Sequence, residues 1–279
     1  MSSTNPARVK YRQVELAGDR VGLLTAGALE APPMVLLHGF SGDALTWQFN
    51  VGALARHYRV TAIDLPGHGL TEAAGEIGYW RGMVDWVARI VAALELAPAH
   101  LAGHSLGARI LLGCVEERKL AGLSLNLISC AGISPSYDYA FLDRLARIDT
   151  MEDAIACVTR LLGDAPDPPE RLAKGLFQKL ATPSAKASLR AYLSTNFAEG
   201  RLLPATPVRW ELLDCPLQII WGSDDSIVQL PPASWLPAGI DLRLMDRVGH
   251  LPHITAADRV NALMIDHAHQ AISARGAAQ

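Results

Sequence analysis

The pattern of apolar and polar positions changes period along this chain, and the changes mark its elements. Two short strand-like runs, Arg12–Ala17 and Arg20–Thr25, flank Gly18-Asp19, a pair suited to a tight turn, and predict an opening hairpin. Pro33–Leu37 is a continuous apolar run ending at His38-Gly39, as expected of a strand covered on both faces. Thr46–Tyr58 has a helical pattern, and Arg59–Leu65 reads as the next strand, closed by Pro66-Gly67. Met83, Val84, Val87, Ile90, Val91 and Leu94 then recur at helical spacing and form one apolar face. His100–Gly103 is a short strand, Leu106–Glu117 an apolar-rich helix without proline, and Leu123–Cys130 a further strand. Pro216–Trp221 and Ile240–Met245 are the last strands, and Ala256–Ile272 a closing helix.

This alternation predicts a mostly parallel sheet of about eight strands with helices on both faces. One segment interrupts it. Residues 136–210 read as short helices broken by Pro166, Pro168, Pro169, Pro183, Pro204 and Pro207, with no strand assignable. The expected organisation is a core over 1–135 and 211–279, with a helical cap at 136–210 lying over the carboxyl edge of the sheet, where open α/β sheets bind ligands.

Composition fits this reading. Of 279 residues, 50% are hydrophobic and 19% charged, enough apolar material for a large core. The net charge of −3 carries no basic stripe, which argues against a nucleic-acid partner. No apolar run reaches the roughly 18 residues of a membrane span. The opening MSSTNPARVK lacks the apolar stretch of a secretory signal, so a cytoplasmic location is expected. Cys114, Cys130, Cys157 and Cys215 are far apart and form no close pair, so neither a zinc site nor a redox motif is supported. Cys114 and Cys130, in apolar runs, are expected to be buried small hydrophobes.

The candidate chemistry begins at Gly103-His104-Ser105-Leu106-Gly107, a G-x-S-x-G placed directly after a strand and opening a helix. A sharp strand-to-helix turn lifts the serine above the sheet, and the helix amino terminus adds an amide and a partial positive charge. A serine hydroxyl is too weak an acid to attack an ester unaided; it needs a base, and the base needs a carboxylate to orient it. Two later turns offer these groups, each following a strand: Gly222-Ser223-Asp224-Asp225-Ser226 and Asp246-Arg247-Val248-Gly249-His250.

With these residues in place, the chain resembles the capped, esterase-like serine α/β-hydrolases. The resemblance rests on VLLHGF (Val35–Phe40), DLPGHG (Asp64–Gly69), GHSLG (Gly103–Gly107), WGSDDSIV (Trp221–Val228) and GHLPH (Gly249–His253). It covers the core and leaves out the cap. It implies Ser105 as nucleophile, Asp225 rather than Asp224 as the acid, and His250 rather than His253 as the base. It also implies an oxyanion hole made by the backbone N–H groups of Phe40 and Leu106. Ala108 stands where the family often has a second glycine, and Ile254-Thr255 where its last motif often continues differently. Serine at the elbow speaks against dehalogenases and epoxide hydrolases of this fold, whose nucleophile is aspartate.

The remaining candidates have plainer expectations. Asp224 is a turn residue, His38 and His68 hydrogen-bond their own loops, and His253 packs beside its loop. His104 is expected to point away from the substrate, into the sheet. His267 and His269, two apart on a helix, make a poor metal pair. Trp47, Tyr79 and Trp80 are open between reaching the site and packing.

The expected reaction is hydrolysis of a small to medium carboxylic ester or lactone through an acyl-serine, with no metal or organic cofactor. The alternatives are carbon–carbon or amide hydrolysis or acyl transfer by the same residues, and a small-molecule receptor on the same fold. Cap charges are nearly balanced and indicate no anion preference. Leu236–His269 is similar to the acyltransferase domain of acetoin dehydrogenase complexes, but no lipoyl-bearing module precedes the core, so a free-standing hydrolase is the expectation. Oligomeric state is not readable.

Overall fold

The computed structural model describes residues 9–72, 79–134, 137–164, 169–198, 201–202 and 207–277. The chain start, Pro166, Pro168 and Pro204, which entered the sequence reading, lie outside the described residues. In chain order the elements are β1 (Lys10–Leu16), β2 (Asp19–Ala26), β3 (Pro33–Leu37), α1 (Val51–Leu54), β4 (Arg59–Ile63), α2 (Trp80–Ala93), β5 (Ala99–His104), α3 (Leu106–Glu116) and β6 (Gly122–Ile128). There follow α4 (Tyr139–Leu145), α5 (Met151–Leu162), α6 (Glu170–Lys179), α7 (Pro183–Asn196), β7 (Phe197–Ala198) and β8 (Arg201–Leu202). The chain then returns to the sheet with β9 (Leu217–Gly222), β10 (Asp241–Met245), α8 (Pro252–Thr255) and α9 (Ala257–Ala277).

Eight strands form one sheet in the order β1-β2-β4-β3-β5-β6-β9-β10. The β1–β2 and β2–β4 pairs are antiparallel and every other pair is parallel. The expected fold class is therefore the one found, and α4–α7 form the helical insertion between β6 and β9. Side chains of β3 divide by the two-residue period of a strand. Val35 and Leu37 enter the apolar layer that contains α2 and α3 residues such as Val84, Ile90 and Leu111. Met34 and Leu36 enter the opposite layer with Leu54, Val260 and Met264 of α1 and α9.

Two expectations change. Thr46–Tyr58 is not one helix: a 3₁₀ turn at Ala44–Trp47, with the Asp43 carboxylate accepting from Leu45 N–H, is followed by the short α1. Buried Asn50 divides the two, its side-chain amide donating 2.8 Å to Asn261 Oδ1, so tertiary contacts override the local helical pattern. The insertion also contains strands, the two-residue pairs of β7 and β8, too short for alternation to reveal.

The loop after β4 is organised by one buried carboxylate. Asp64 Oδ1 accepts from Ala44 N–H at 2.6 Å, and its Oδ2 accepts from Leu70 N–H and the Tyr11 hydroxyl, each at 2.7 Å. Thr71 Oγ1 donates to the Asp64 carbonyl and accepts from Gly22 N–H. A Cβ on Gly22 would fall 2.0 Å from Asp64 Oδ2, so only glycine leaves room for this carboxylate. Burial raises the Asp64 pKa above its ordinary value even though three donors favour the charged form. Asp64→Ala leaves two amides and a hydroxyl without their acceptor, and urea unfolding should show a loss of about 3–5 kcal/mol. A loss below about 1 kcal/mol would contradict this role for Asp64.

Candidate active site

Ser105 sits between β5 and α3 with φ 50° and ψ −112°, in the region that L-residues avoid. The glycines on either side explain how it is held there. A Cβ on Gly103 would meet the Ala108 backbone at 2.5 Å, and one on Gly107 would meet the His38 carbonyl oxygen at 2.5 Å. Ser105 N–H is fixed by the Ile128 carbonyl at 2.9 Å, so the neighbouring strand holds the turn. The N–H groups of Phe40 and Leu106 donate to no protein group among the described residues, and both residues border cavity space at Ser105. Such free amides beside a nucleophile can bind a developing oxyanion.

Asp225 and His250 come from the turns after β9 and β10, which are laced together. Asp224 N–H donates to the Val248 carbonyl, and Arg247 N–H donates to Ser223 Oγ, both at 2.9 Å. A Cβ on Gly222 would lie 2.1 Å from the Val248 carbonyl oxygen, so that glycine permits the approach. His250 Nδ1 then donates to Asp225 Oδ2 at 2.7 Å. Asp225 Oδ1 accepts from the N–H groups of Ile227 and Val228 at 3.0 Å each. Burial alone would push this carboxyl upward, but the His250 ring and the two amides outweigh burial and lower its pKa. Asp224 is the less buried neighbour, its carboxylate accepting from the Ser223 hydroxyl. With Nδ1 as the donor, His250 Nε2 keeps a free lone pair.

The insertion fastens this histidine. His250 N–H donates 2.8 Å to the Leu161 carbonyl and Gly249 N–H 3.2 Å to that of Leu162, both at the C-terminal end of α5. These carbonyls have no partner inside their helix, and the loop amides satisfy them. A Cβ on Gly249 would strike the Leu162 backbone at 2.5 Å.

Ser105 and His250 face a common cavity of about 360 Å³. Leu142 and Leu145 of α4, Val158 and Leu161 of α5, and Leu172 and Leu176 of α6 line it from the insertion. A larger groove of about 620 Å³ lies beside it, lined by Tyr11, His68 and Ser188 and sharing Asp43 and Lys179, but none of Ser105, Asp225 and His250. A smaller cavity of about 40 Å³ adjoins Ser105 on its other side. Among the described residues, no group of three or more His, Cys, Asp or Glu side chains is placed to hold a metal ion, and no helix is long and apolar enough to cross a membrane.

His104, expected to point away from the substrate into the sheet, is buried with its ring on the loop after β10, its centroid 4.8 Å from that of His250 and 4.5 Å from that of His253, and the residue is among those lining the main cavity. Its Nε2 donates to the His250 carbonyl at 2.7 Å. His38 and His68 hydrogen-bond their loops as expected: His38 Nδ1 donates to the Gly39 carbonyl and His68 Nδ1 to the Pro66 carbonyl, while His38 Nε2 also accepts from Leu65 N–H of the loop after β4. His253 is fully buried against Trp47 and His104. His267 pairs with Asn126 Oδ1, and His269 lies against His57, so the two point to different partners. Trp47 packs in the core, whereas Trp80 borders the smaller cavity. Arg109, which also borders that cavity, was passed over in the sequence; its signal was a lone cation inside the apolar run of α3.

Burial keeps several of these rings neutral, lowering His38 to about 4, His68 and His253 to about 3, and His104 well below its ordinary value. The unfolded chain protonates the same rings near pH 6.5, so it binds more protons below that pH. Stability should therefore fall as pH drops from about 6.5 towards 4, by up to roughly 1 kcal/mol per pH unit for each ring. Among the described residues both ring nitrogens of His253 lack a hydrogen-bond partner, so His253→Phe should flatten this slope and raise the melting temperature at pH 5 relative to wild type. An unchanged slope would contradict the assignment.

Comparison with known proteins agrees with this architecture. Residues 34–263, from β3 into α9, match the alpha/beta hydrolase family. The chain is 28% identical over 256 residues to the dihydrolipoyllysine-residue acetyltransferase component of the acetoin cleaving system of Pseudomonas putida, covering 91% of this chain and 68% of that protein. It is 25% identical over 247 residues to the (E)-2-((N-methylformamido)methylene)succinate hydrolase of Acinetobacter baylyi, covering 84% and 89%. Among solved structures, the 2-hydroxy-6-oxo-6-phenylhexa-2,4-dienoate hydrolase of a Rhodococcus strain superposes with a TM-score of 0.80 at 21% identity, over 94% of this chain and 99% of that one. That likeness speaks for the fold. With a family match spanning most of its length, the chain belongs to the alpha/beta hydrolase family.

Proposed function

We propose that this protein is a serine hydrolase that cleaves a small to medium carboxylic ester or lactone through an acyl-serine. One observation carries the reading: a serine held at positive φ and a histidine hydrogen-bonded to a buried aspartate face one apolar-walled cavity. In this reading His250 Nε2 takes the Ser105 proton as Oγ attacks the carbonyl. Asp225 holds the ring with Nδ1 protonated and stabilises the imidazolium that forms. The Phe40 and Leu106 amides receive the oxyanion, each lowering the barrier by about 3 kcal/mol. His250 returns its proton to the leaving alcohol, then draws one from water as that water attacks the acyl carbonyl, and passes it to Ser105 Oγ as the acid departs. The aliphatic wall of the cavity suits an apolar alkyl or aryl group on the substrate.

A second reading, cleavage of a different acyl bond by the same residues, is supported by two relatives, one named as an acetyltransferase component and one as an (E)-2-((N-methylformamido)methylene)succinate hydrolase. Steady-state rates on matched esters, lactones, thioesters and amides separate the two readings. An ester or lactone should give the highest kcat/KM, and a thioester or amide at the head of the ranking would favour the second.

Three substitutions test the assigned roles. Ser105→Ala should abolish turnover without loss of the fold. Asp225→Asn should reduce kcat by about 10³–10⁴-fold, because the wrong tautomer is then held. Asp224→Asn should change kcat less than about threefold, and the reverse ranking would overturn the choice of acid.

A further inference from the structure

The small cavity behind Ser105 has an unusual base. Arg109 lies on α3 four residues after Ser105, about 6 Å along the helix axis, and both residues border this cavity. Its side chain is 5% exposed, yet among the described residues Nη1 has no hydrogen-bond partner. The nearest carboxylate, Glu116 Oε2, is 3.6 Å from Nη1, beyond good hydrogen-bonding range. Glu116 also serves a second cation: its Oε1 accepts from Arg209 Nε at 2.9 Å and from Arg209 N–H at 3.3 Å. Two guanidinium groups thus share one carboxylate. Arg109 also stacks on the face of Trp80, 4.1 Å from the guanidinium carbon to the ring centroid. A Cβ on Gly132 would fall 2.7 Å from Arg109 Cδ, so that glycine leaves room for the side chain. The Tyr137 hydroxyl is buried at the same cavity, where its oxygen meets the Gly132 backbone.

A buried cation with unused donors is costly unless something completes it. A structural role needs only that Arg109 be held by Glu116 and Trp80, but that arrangement leaves Nη1 without a hydrogen bond on a residue that shares a cavity with Ser105. The cavity, of about 40 Å³, has room for about three water-sized groups, which is the size of a carboxylate. A planar guanidinium matches a carboxylate with charge-assisted hydrogen bonds. Both cavities include Phe40 and Ser105, so a substrate at the serine reaches either one. A substrate bonded at Ser105 can extend its alcohol part into the larger of these two cavities and its acyl part into the smaller.

We propose that the cavity between Ser105 and Arg109 is a subsite for a carboxylate at the far end of a short acyl chain, so that the preferred substrates are half-esters of short dicarboxylic acids. The Arg109 guanidinium pairs with the free carboxylate and the Tyr137 hydroxyl donates to it, which places the ester carbonyl at Ser105. This rests on the reading of Ser105 as nucleophile and narrows its substrate class.

The test compares monomethyl glutarate with its neutral isostere, in which an isopropyl group replaces the free carboxylate. Wild-type protein should favour the half-ester in kcat/KM by roughly tenfold or more, and Arg109→Gln should erase that ratio. Arg109→Lys keeps the charge without the fork and should fall between them. Glu116→Gln removes the competing carboxylate and should raise the ratio, which keeps the proposal testable if Arg109→Gln does not fold. Calorimetry on the Ser105→Ala protein measures binding of the same two esters without turnover. A ratio near one on an enzyme that hydrolyses both esters overturns the subsite and leaves the hydrolase reading intact. Arg109-dependent binding to Ser105→Ala, with neither ester turned over by wild type, upholds the anion site and overturns the hydrolase reading. No preference in either binding or turnover overturns the proposal.

Discussion

The geometry of this site hangs on a backbone strain at Ser105. A non-glycine residue at positive φ costs on the order of 1–3 kcal/mol, and it persists only where the surroundings leave no alternative. Here Gly103 and Gly107 are packed so closely against the α3 and β3 backbones that no side chain fits at either position. The Ser105 amide is tied to β6, and every residue of α3 is buried. The strain is therefore offset by the central part of the sheet, where the burial is deepest. The result is a hydroxyl at the carboxyl edge of the sheet, next to the Leu106 amide at the start of the helix, which donates to no protein group among the described residues.

The groups around that hydroxyl are positioned by contacts between distant segments. The loop carrying Phe40 is tied to the loop after β4 twice, through Ala44 N–H on Asp64 and through the acceptance of Leu65 N–H by His38. The loop carrying His250 is gripped from two sides, by the α5 carbonyls of Leu161 and Leu162 and by the ring of His104. The insertion thus does more than roof the cavity. It supplies the acceptors that fix the histidine, so movement of α5 couples mechanically to the His250 ring. A change in how the insertion packs is a change in the site.

Local pattern and turn chemistry made the sheet legible in the sequence. The apolar run of β3, the elbow after β5 and the glycine-bearing turns after β9 and β10 each carry their signal within a few residues. What stayed hidden depends on pairings that no local window contains. His104 and His250 are 146 positions apart, so the bond from the His104 ring to the His250 carbonyl could not be read locally. Arg109, Glu116 and Arg209 form a charge group across α3 and the end of the insertion, and only the sharing of one carboxylate exposes the excess cation. The helical pattern of Thr46–Tyr58 failed because Asn50 is used by Asn261 on α9. Asp64 stood inside a quoted motif, but its three donors come from three segments.

The central claim is that Ser105 is an activated nucleophile. Intact-mass analysis after exposure to a fluorophosphonate tests it most directly, because the reagent reports the nucleophile before any substrate is known. The account predicts a single phosphonyl adduct on the wild-type chain, located on Ser105 by peptide mapping, and no adduct on folded Ser105→Ala. Unmodified wild-type protein, or an adduct that survives in Ser105→Ala, would contradict it.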